Sequence, residues 1–153
     1  MLKTILRLEH ELGFGPFEYG PKMWQRTHDE ELIDAYFFAF ADAMPWVTVR
    51  HSDPIEQLFG KPERYWSAND GQHPHHIEDV KEPEGYGHTW KVGCKDMDQL
   101  LHWFPKSSHA MLSQYGFQLV TYECECDYIQ FGTYQLLFCV DNITVVTRAP
   151  LLG

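Results

Sequence analysis

The sequence predicts a single α+β domain, with helices between the strands of a mixed or antiparallel sheet. Its 153 residues are about the length of one domain, and 44% of them are apolar, which is enough for a buried core. Five or six segments have the alternating or continuous apolar pattern of strands. One long and two short segments repeat their apolar residues at helical spacing. Residues 1–153 are therefore interpreted as one domain.

The charge of the chain excludes some classes of protein. It has 12 Lys and Arg against 22 Asp and Glu, a formal net charge of −10. A field of this sign repels phosphate backbones, so nucleic-acid binding is not expected. No apolar run approaches the roughly 18 residues of a membrane span, and residues 1–3 lead into an alternating segment rather than a signal peptide. We expect a cytoplasmic protein with no membrane partner.

The first predicted element is a strand over residues 3–10. Leu6 and Leu8 face one way, and Arg7 and Glu9 face the other, which is the period of a half-buried strand. The next segment, 13–21, is rich in glycine, proline and aromatic residues. This composition is typical of neither a helix nor a regular strand.

The main helix is predicted to begin at a capping box formed by Thr27 and Glu30. Apolar residues then recur at helical spacing as far as Met44, and Pro45 ends the helix. From about 45 to 87 the pattern weakens to a long irregular excursion, apart from a short strand at 47–50. An excursion of this length in a compact domain is often functional.

Two short helices are predicted in the second half of the chain, after a strand at 88–94. Asp96 caps the first of them, and Pro105 stops it. Ser107 or Ser108 caps the second, which ends at Gly116.

Three further strands are predicted to complete the sheet. Residues 117–125 alternate, and residues 134–140 are almost continuously apolar. Asp141 and Asn142 indicate a turn, after which residues 143–147 are expected to return as the hairpin partner of 134–140.

The four cysteines are predicted to be reduced thiols. Cys124 and Cys126 share one face of a strand and would supply half of a zinc site. Tetrahedral zinc needs two more ligands, and its usual spacing is Cys-x2–4-Cys. Because the chain has no secretory signal, we do not expect disulfides, and no metal site is predicted.

The first candidate site lies at the end of the first strand. Arg7 offers a planar fork for phosphate or carboxylate, and His10 suits a ribose or a base. Gly13 and Gly15 allow the backbone to approach a ligand, and Phe17 closes the same turn. The alternative is a solvated strand face on which Arg7 forms surface ion pairs.

Two other groups of polar residues are candidates for the same cleft. His73 and His75 share a face in an extended chain and could hold one metal ion or one anion, although a solvated loop is the alternative. Gln135 stands at the mouth of an apolar strand, where it would reach a cleft. Glu123 and Glu125 share a face and are the candidate catalytic carboxylates, with an exposed acidic face as the alternative.

The order of these landmarks is similar to that of a family of small uncharacterised bacteriophage proteins. The resemblance covers most of the chain and implies origin rather than activity. The residues that carry it are Leu6-Arg7-Leu8-Glu9-His10, Gly13-Phe14-Gly15-Pro16-Phe17, His73-Pro74, the run from Gly93 to Phe104, Gly132 and Gln135-Leu136-Leu137-Phe138.

More distantly, the pattern resembles the ADP-ribosyltransferase fold, which binds NAD in a cleft. This resemblance implies that Arg7 or His10 contacts the phosphates or ribose of NAD. It also implies that Gln135 stands at or near the position of the family's catalytic glutamate. Glutamine lacks the negative charge that stabilises an oxocarbenium-like centre. Transferase chemistry would therefore require Glu123 or Glu125.

These observations lead to one functional expectation and two alternatives. We expect a phage accessory protein that binds NAD, ADP-ribose or a related nucleotide in the host cytoplasm and counters a defence. The first alternative is an active ADP-ribosyltransferase or NAD glycohydrolase. The second is a non-enzymatic acidic inhibitor that binds a host protein.

Overall fold

A computed structural model describes residues 1–11, 13, 15–16, 30–44, 46–51, 64–68, 72–73, 79–80 and 90–151. In these residues the chain forms three α-helices and eight strands, and the strands form three antiparallel sheets. The prediction of an α+β class is confirmed. The prediction of a single sheet of five or six strands is wrong, because the strands are divided among one two-stranded and two three-stranded sheets.

The first sheet has the order β1-β5-β8 and consists of β1 (Leu2–His10), β5 (Phe117–Glu125) and β8 (Ile143–Pro150). Both pairings are antiparallel, and the register places Arg7 opposite Val120. The strands predicted at 3–10 and 117–125 are confirmed. Strand β5 is therefore central, and β1 depends on a partner far along the chain.

The second three-stranded sheet has the order β4-β7-β6. It consists of β4 (Trp90–Gly93), β6 (Ile129–Phe131) and β7 (Leu136–Cys139). All four residues of the central strand β7 are buried, as its apolar sequence predicts. Leu6 and Cys94 exchange two backbone hydrogen bonds of 2.8 Å, which join this sheet to β1.

The predicted hairpin between 134–140 and 143–147 is wrong. A short 3-10 turn at Val140–Asn142 follows β7, and β8 then pairs with β5 of the other sheet. The physical reason is that β4 and β6 already occupy both edges of β7. Strand β5 pairs with β1 along one edge only, and β8 pairs with its other edge.

The main helix, α1 (Glu30–Ala43), is confirmed and ends one residue before Met44, the last helical residue that the sequence predicts. Its predicted cap, Thr27, lies outside the described residues. Tyr36, Phe40 and Met44 are fully buried, and their four-residue spacing gives the helix one apolar face toward the core. The Tyr36 hydroxyl donates a 2.9 Å hydrogen bond to the Pro16 carbonyl, which fastens the glycine turn after β1 to this helix.

A two-stranded hairpin follows α1 and consists of β2 (Val47–His51) and β3 (Arg64–Ala68). The strand predicted at 47–50 is confirmed. Strand β3 was not predicted and lies within the segment that was expected to be irregular.

The core forms on both faces of the first sheet. Leu8 and Phe117 pack with the helices on one face, whereas Ile5, Val120 and Phe138 pack together on the other. Successive strand residues point to opposite faces, so β1 is buried on both sides at its centre. Arg7 and Glu9 share the Ile5 face, and this arrangement determines the site described below.

Two short helices complete the helical layer: α2 (Met97–Trp103) and α3 (His109–Gln114). Ser108 stands at the cap position of α3, but its hydroxyl donates to the Pro105 carbonyl at 2.6 Å instead of capping. The predicted serine cap is therefore wrong. Gly116 ends this segment with a φ of +91°, as a glycine after a helix often does.

The predicted cap of α2 is confirmed, because the Asp96 carboxylate accepts a 2.8 Å hydrogen bond from the Gln99 amide. We expect Asp96→Ala to lower the free energy of unfolding by about 1 kcal/mol, since it leaves that amide without its acceptor. Urea denaturation measures the change. Asp96→Asn keeps a capping oxygen and is the matched control. An equal loss in both variants would contradict the role of the cap.

Candidate functional site

The centre of the candidate site is a buried ion pair on β1. The Arg7 Nε donates to Glu9 Oε2 at 3.1 Å, and the Arg7 Nη1 donates to the Val92 carbonyl at 2.5 Å. The two side chains are only 10% and 3% exposed. The alternative of a solvated strand face is therefore wrong, because both side chains are buried on the face of the sheet where Ile5, Val120 and Phe138 pack together.

Two further groups complete the surroundings of the Glu9 carboxylate. The Tyr122 hydroxyl donates to Glu9 Oε2, and the Arg148 Nη2 lies 3.7 Å from Oε1. Burial raises the pKa of Tyr122 to about 12, and its hydrogen bond to Glu9 adds to the shift. Tyr122 therefore remains a protonated donor at neutral pH. Buried charges persist only when they are paired and hydrogen-bonded in this way.

The glycine turn after β1 lies beside the ion pair. Gly13 has a φ of +92°, which favours glycine, and its carbonyl accepts a 3.2 Å hydrogen bond from Lys91 Nζ. A Cβ on Gly15 would lie 3.2 Å from the Arg7 Nη2, so a side chain there would press on the guanidinium. The structure thus places Gly15 beside Arg7 and Gly13 beside Lys91, whereas Phe17 lies outside the described residues.

His10 points to the opposite face of the sheet from Arg7, since the two residues are an odd number of positions (three) apart on one strand. Its ring packs edge-on against Phe117 at a centroid distance of 5.6 Å. A Cβ on Gly116 would come within 2.7 Å of the His10 Nε2, so the glycine makes room for this ring. Burial lowers the pKa of His10, although nearby Glu11 opposes the shift.

His73 belongs to an aromatic stack rather than to the Arg7 cluster. Its ring lies between those of Trp46 and His102, at centroid distances of 4.0 and 4.2 Å and nearly parallel to both. Its Nε2 lies 3.0 Å from the His102 carbonyl oxygen, to which it donates. The ring is buried, and its hydrogen bond joins residues 72–73 to α2. His75, its predicted neighbour, lies outside the described residues.

Gln135 is buried directly before β7, in a turn held by Asp79. Asp79 Oδ1 accepts from the Thr133 amide at 2.8 Å, and Oδ2 accepts from the amides of Tyr134 and Gln135 at 2.8 and 3.0 Å. A Cβ on Gly132 would lie 2.5 Å from Oδ2, so only glycine admits the carboxylate. Sequence reasoning missed Asp79, and the glycine before Thr133 was the available signal.

The candidate catalytic carboxylates lie on the other face of the first sheet from Glu9. Glu123 is opposite Thr4 in the register, and Glu125 is opposite Leu2. Glu125 is half-exposed and forms a 2.8 Å ion pair with the Met1 ammonium group, whose pKa it raises by accepting a hydrogen bond. The structure therefore does not bring Glu123 or Glu125 together with Arg7.

All four cysteines are free thiols. Burial raises the pKa of Cys94 to about 12 and also raises that of Cys124. In the described ranges no group of three or more His, Cys, Asp or Glu side chains is arranged to hold a metal ion. The structure therefore gives the Cys124 and Cys126 pair no further ligands within those ranges.

The burial of the thiols leads to an expected order of alkylation. We expect iodoacetamide at pH 8 to label Cys126 first, because it is partly exposed, whereas Cys94 and Cys124 are buried. Peptide mass spectrometry of the native and urea-unfolded protein measures the order. Rapid labelling of Cys94 in the native state would contradict this burial.

Comparison of the chain with known proteins identifies the family to which it belongs. A family model described as "Bacteriophage T4 Y00F protein" matches residues 1–152. No curated protein and no solved structure matches the chain, so no match links it to the ADP-ribosyltransferase fold. Within the described part of the chain, no helix is both long and apolar enough to cross a membrane. The resemblance to small phage proteins is confirmed, and the chain belongs to the Bacteriophage T4 Y00F protein family.

Proposed function

We propose that this phage protein binds the phosphates of a nucleotide such as NAD or ADP-ribose at the Arg7 cluster. The cluster consists of Arg7 and Arg148, which contact the carboxylate of Glu9, and of Lys91, which contacts the Gly13 carbonyl in the glycine turn. The observation that carries the proposal is this excess of cations in a chain whose net charge is −10.

The cluster has the charge and the order that an anion site needs. Arg7 is fixed by Glu9 and by the Val92 carbonyl, so little conformational entropy is lost when it donates to a ligand. Arg148 is 39% exposed and 3.7 Å from Glu9, which leaves its fork accessible to a phosphate. Lys91 adds a third positive charge beside the glycine turn. A bound dianion would offset the repulsion among the three cations.

The proposed ligand approaches from the side of the glycine turn. Gly15 presents backbone without a side chain next to Arg7, and Gly13 does so beside Lys91, as phosphate-binding turns do. His10 is on the other face, so the proposal does not include it. Withdrawal of such a nucleotide from a host defence in the host cytoplasm would be the benefit to the phage.

The test is ligand binding measured by thermal shift and calorimetry with NAD, ADP-ribose and inorganic phosphate. A nucleotide present at 100 times its Kd would add about 2.7 kcal/mol of stability. For a domain of this size that corresponds to roughly 5–10 °C. We expect Arg148→Ala to weaken binding about ten-fold, because it removes a charge-assisted hydrogen bond.

Lys3→Ala is the matched control, since it removes the same charge from an exposed position of β1. An equal loss of affinity in Lys3→Ala and Arg148→Ala would contradict a localised site. No shift with any of the three ligands would overturn the proposal. Release of nicotinamide from NAD that is lost in Glu123→Gln or Glu125→Gln would replace it with a glycohydrolase.

A further inference from the structure

Strand β8 forms one edge of the first sheet. Only β5 pairs with it, and in the described part of the chain no other strand reaches its outer side. Val145 and Val146 are 49% and 47% exposed, and the flanking Thr144 and Thr147 are exposed as well. An edge of this kind presents a row of backbone N–H and C=O groups to solvent. The partner that satisfies such a row is another extended strand.

The sequence of β8 has few of the features that protect an edge from pairing. Edge strands are usually protected by charged side chains, above all lysine, or by a proline. The only charged residue of β8 is Arg148, and its only proline, Pro150, is its last residue. The strand contains none of the 22 Asp and Glu residues of the chain. It therefore adds no carboxylate to the repulsion between two acidic copies.

A β-bulge places the two threonines of β8 on the same face of the sheet. The pairing with β5 shifts by one residue, and Val146 is the extra residue on β8. Thr144 pairs with Glu123, and Thr147 pairs with Thr121. Glu123 and Thr121 are two positions apart on β5 and share a face, so their partners share that face too. In a regular strand, residues three positions apart would point to opposite faces.

The segment Thr144-Val145-Val146-Thr147 has the same sequence in both directions. When two copies pair antiparallel about a two-fold axis normal to the sheet, Thr144 lies opposite Thr147 of the second copy. Directly opposite residues share a face, and the bulge satisfies this condition for the two threonines. At the centre, Val145 lies opposite Val146. Pairs of threonines and of β-branched residues stabilise antiparallel strands, so the segment is complementary to itself.

We propose that this protein forms a homodimer in which two β8 strands pair antiparallel across residues 144–147. The two first sheets then form one sheet of six strands, and the isologous contact closes at two copies. In this register Arg148 lies opposite Ile143 of the second copy. The two Arg148 residues are about 17 Å apart along the strands, which exceeds the Debye length of about 8 Å at physiological ionic strength.

The first test is sedimentation equilibrium of the full chain over a range of protein concentrations. We expect a reversible monomer–dimer equilibrium that tightens as the salt concentration rises, because salt screens the repulsion between two copies of net charge −10. Val146→Lys should weaken the dimer about ten-fold or more, since it places two ammonium groups beside the axis. Thr4→Lys is the matched control, because it adds the same charge at an exposed position of β1.

The second test is cysteine crosslinking, which reports the register directly. Thr144→Cys and Thr147→Cys are each made with Cys126→Ser, which removes the partly exposed native thiol. The two variants are mixed and oxidised with copper phenanthroline. In the mixture the new thiols lie opposite each other, whereas in either variant alone they are three positions apart along the strands. We expect the mixture to crosslink about ten-fold faster than either variant alone.

The two tests overturn the proposal in different ways. A monomer at every protein concentration would overturn it, as would equal weakening of the dimer in Val146→Lys and Thr4→Lys. Equal crosslinking in the mixture and in the separate variants would also overturn it, because the copies would then meet elsewhere. All of these variants retain Arg148, so the dimer and the nucleotide site are tested separately.

Discussion

Replacement of Glu9 by alanine is expected to lower the free energy of unfolding by about 3–5 kcal/mol. The change leaves the Arg7 guanidinium nearly buried without its carboxylate, and it removes the acceptor of the Tyr122 hydroxyl. Urea denaturation followed by circular dichroism measures the loss. We expect this to be among the largest effects of a single substitution in the described part of the chain.

A double variant separates the charge from the packing. In Arg7→Met/Glu9→Leu both charges are gone and apolar side chains fill the space, so most of the lost stability should return. Glu125→Gln is the matched control, because its ion pair with Met1 is exposed and contributes little. The single variants Arg7→Met and Glu9→Leu complete the comparison. If the stability lost in the double variant equals the sum of the losses in these two single variants, the penalty does not come from an unpaired buried charge.

Replacement of Asp79 by alanine is expected to cost about 3 kcal/mol, because three backbone amides at 133–135 lose a charged acceptor together. The cost is less than the sum of three separate bonds, since water reaches the exposed Thr133 amide. Urea denaturation gives the overall change. Hydrogen exchange at the three amides shows whether the loss begins in this turn.

The matched control for Asp79 is Asp98→Ala, which removes an exposed carboxylate from the first turn of α2. It should cost less than about 1 kcal/mol, the usual size of a helix-dipole term. If exchange at residues 133–135 is unchanged in Asp79→Ala, the carboxylate does not hold the turn.

Local elements of the fold were predictable from the sequence because their signals are local. The alternation of β1 and the Asp96 cap each depend on residues a few positions apart, and both were correct. The turn at Asp141 was also correct, but a turn signal does not state which strand has a free edge. The pairing of β8 therefore could not be deduced from its neighbours.

The candidate site was only partly predictable, since its contacts connect distant residues. Arg7, Gly13 and Gly15 were identified as neighbours along the chain. The burial of Arg7 was missed because Tyr122, which contacts Glu9 from 113 residues away, covers the same face. Asp79 and Thr133 are 54 residues apart, and no periodic pattern relates them.

The position of β1 in the first sheet affects when the chain can fold. Ile5 pairs with Tyr122, so β1 is synthesised long before its partner. At about 5–20 residues per second, a ribosome needs roughly 6–23 s to cover that interval. During this time Ile5 and Leu8 cannot reach the β5 residues that bury them, and contacts of such long range also form slowly. The newly made chain therefore exposes an apolar strand for seconds, and its exposure to chaperones and aggregation depends on the rate of translation.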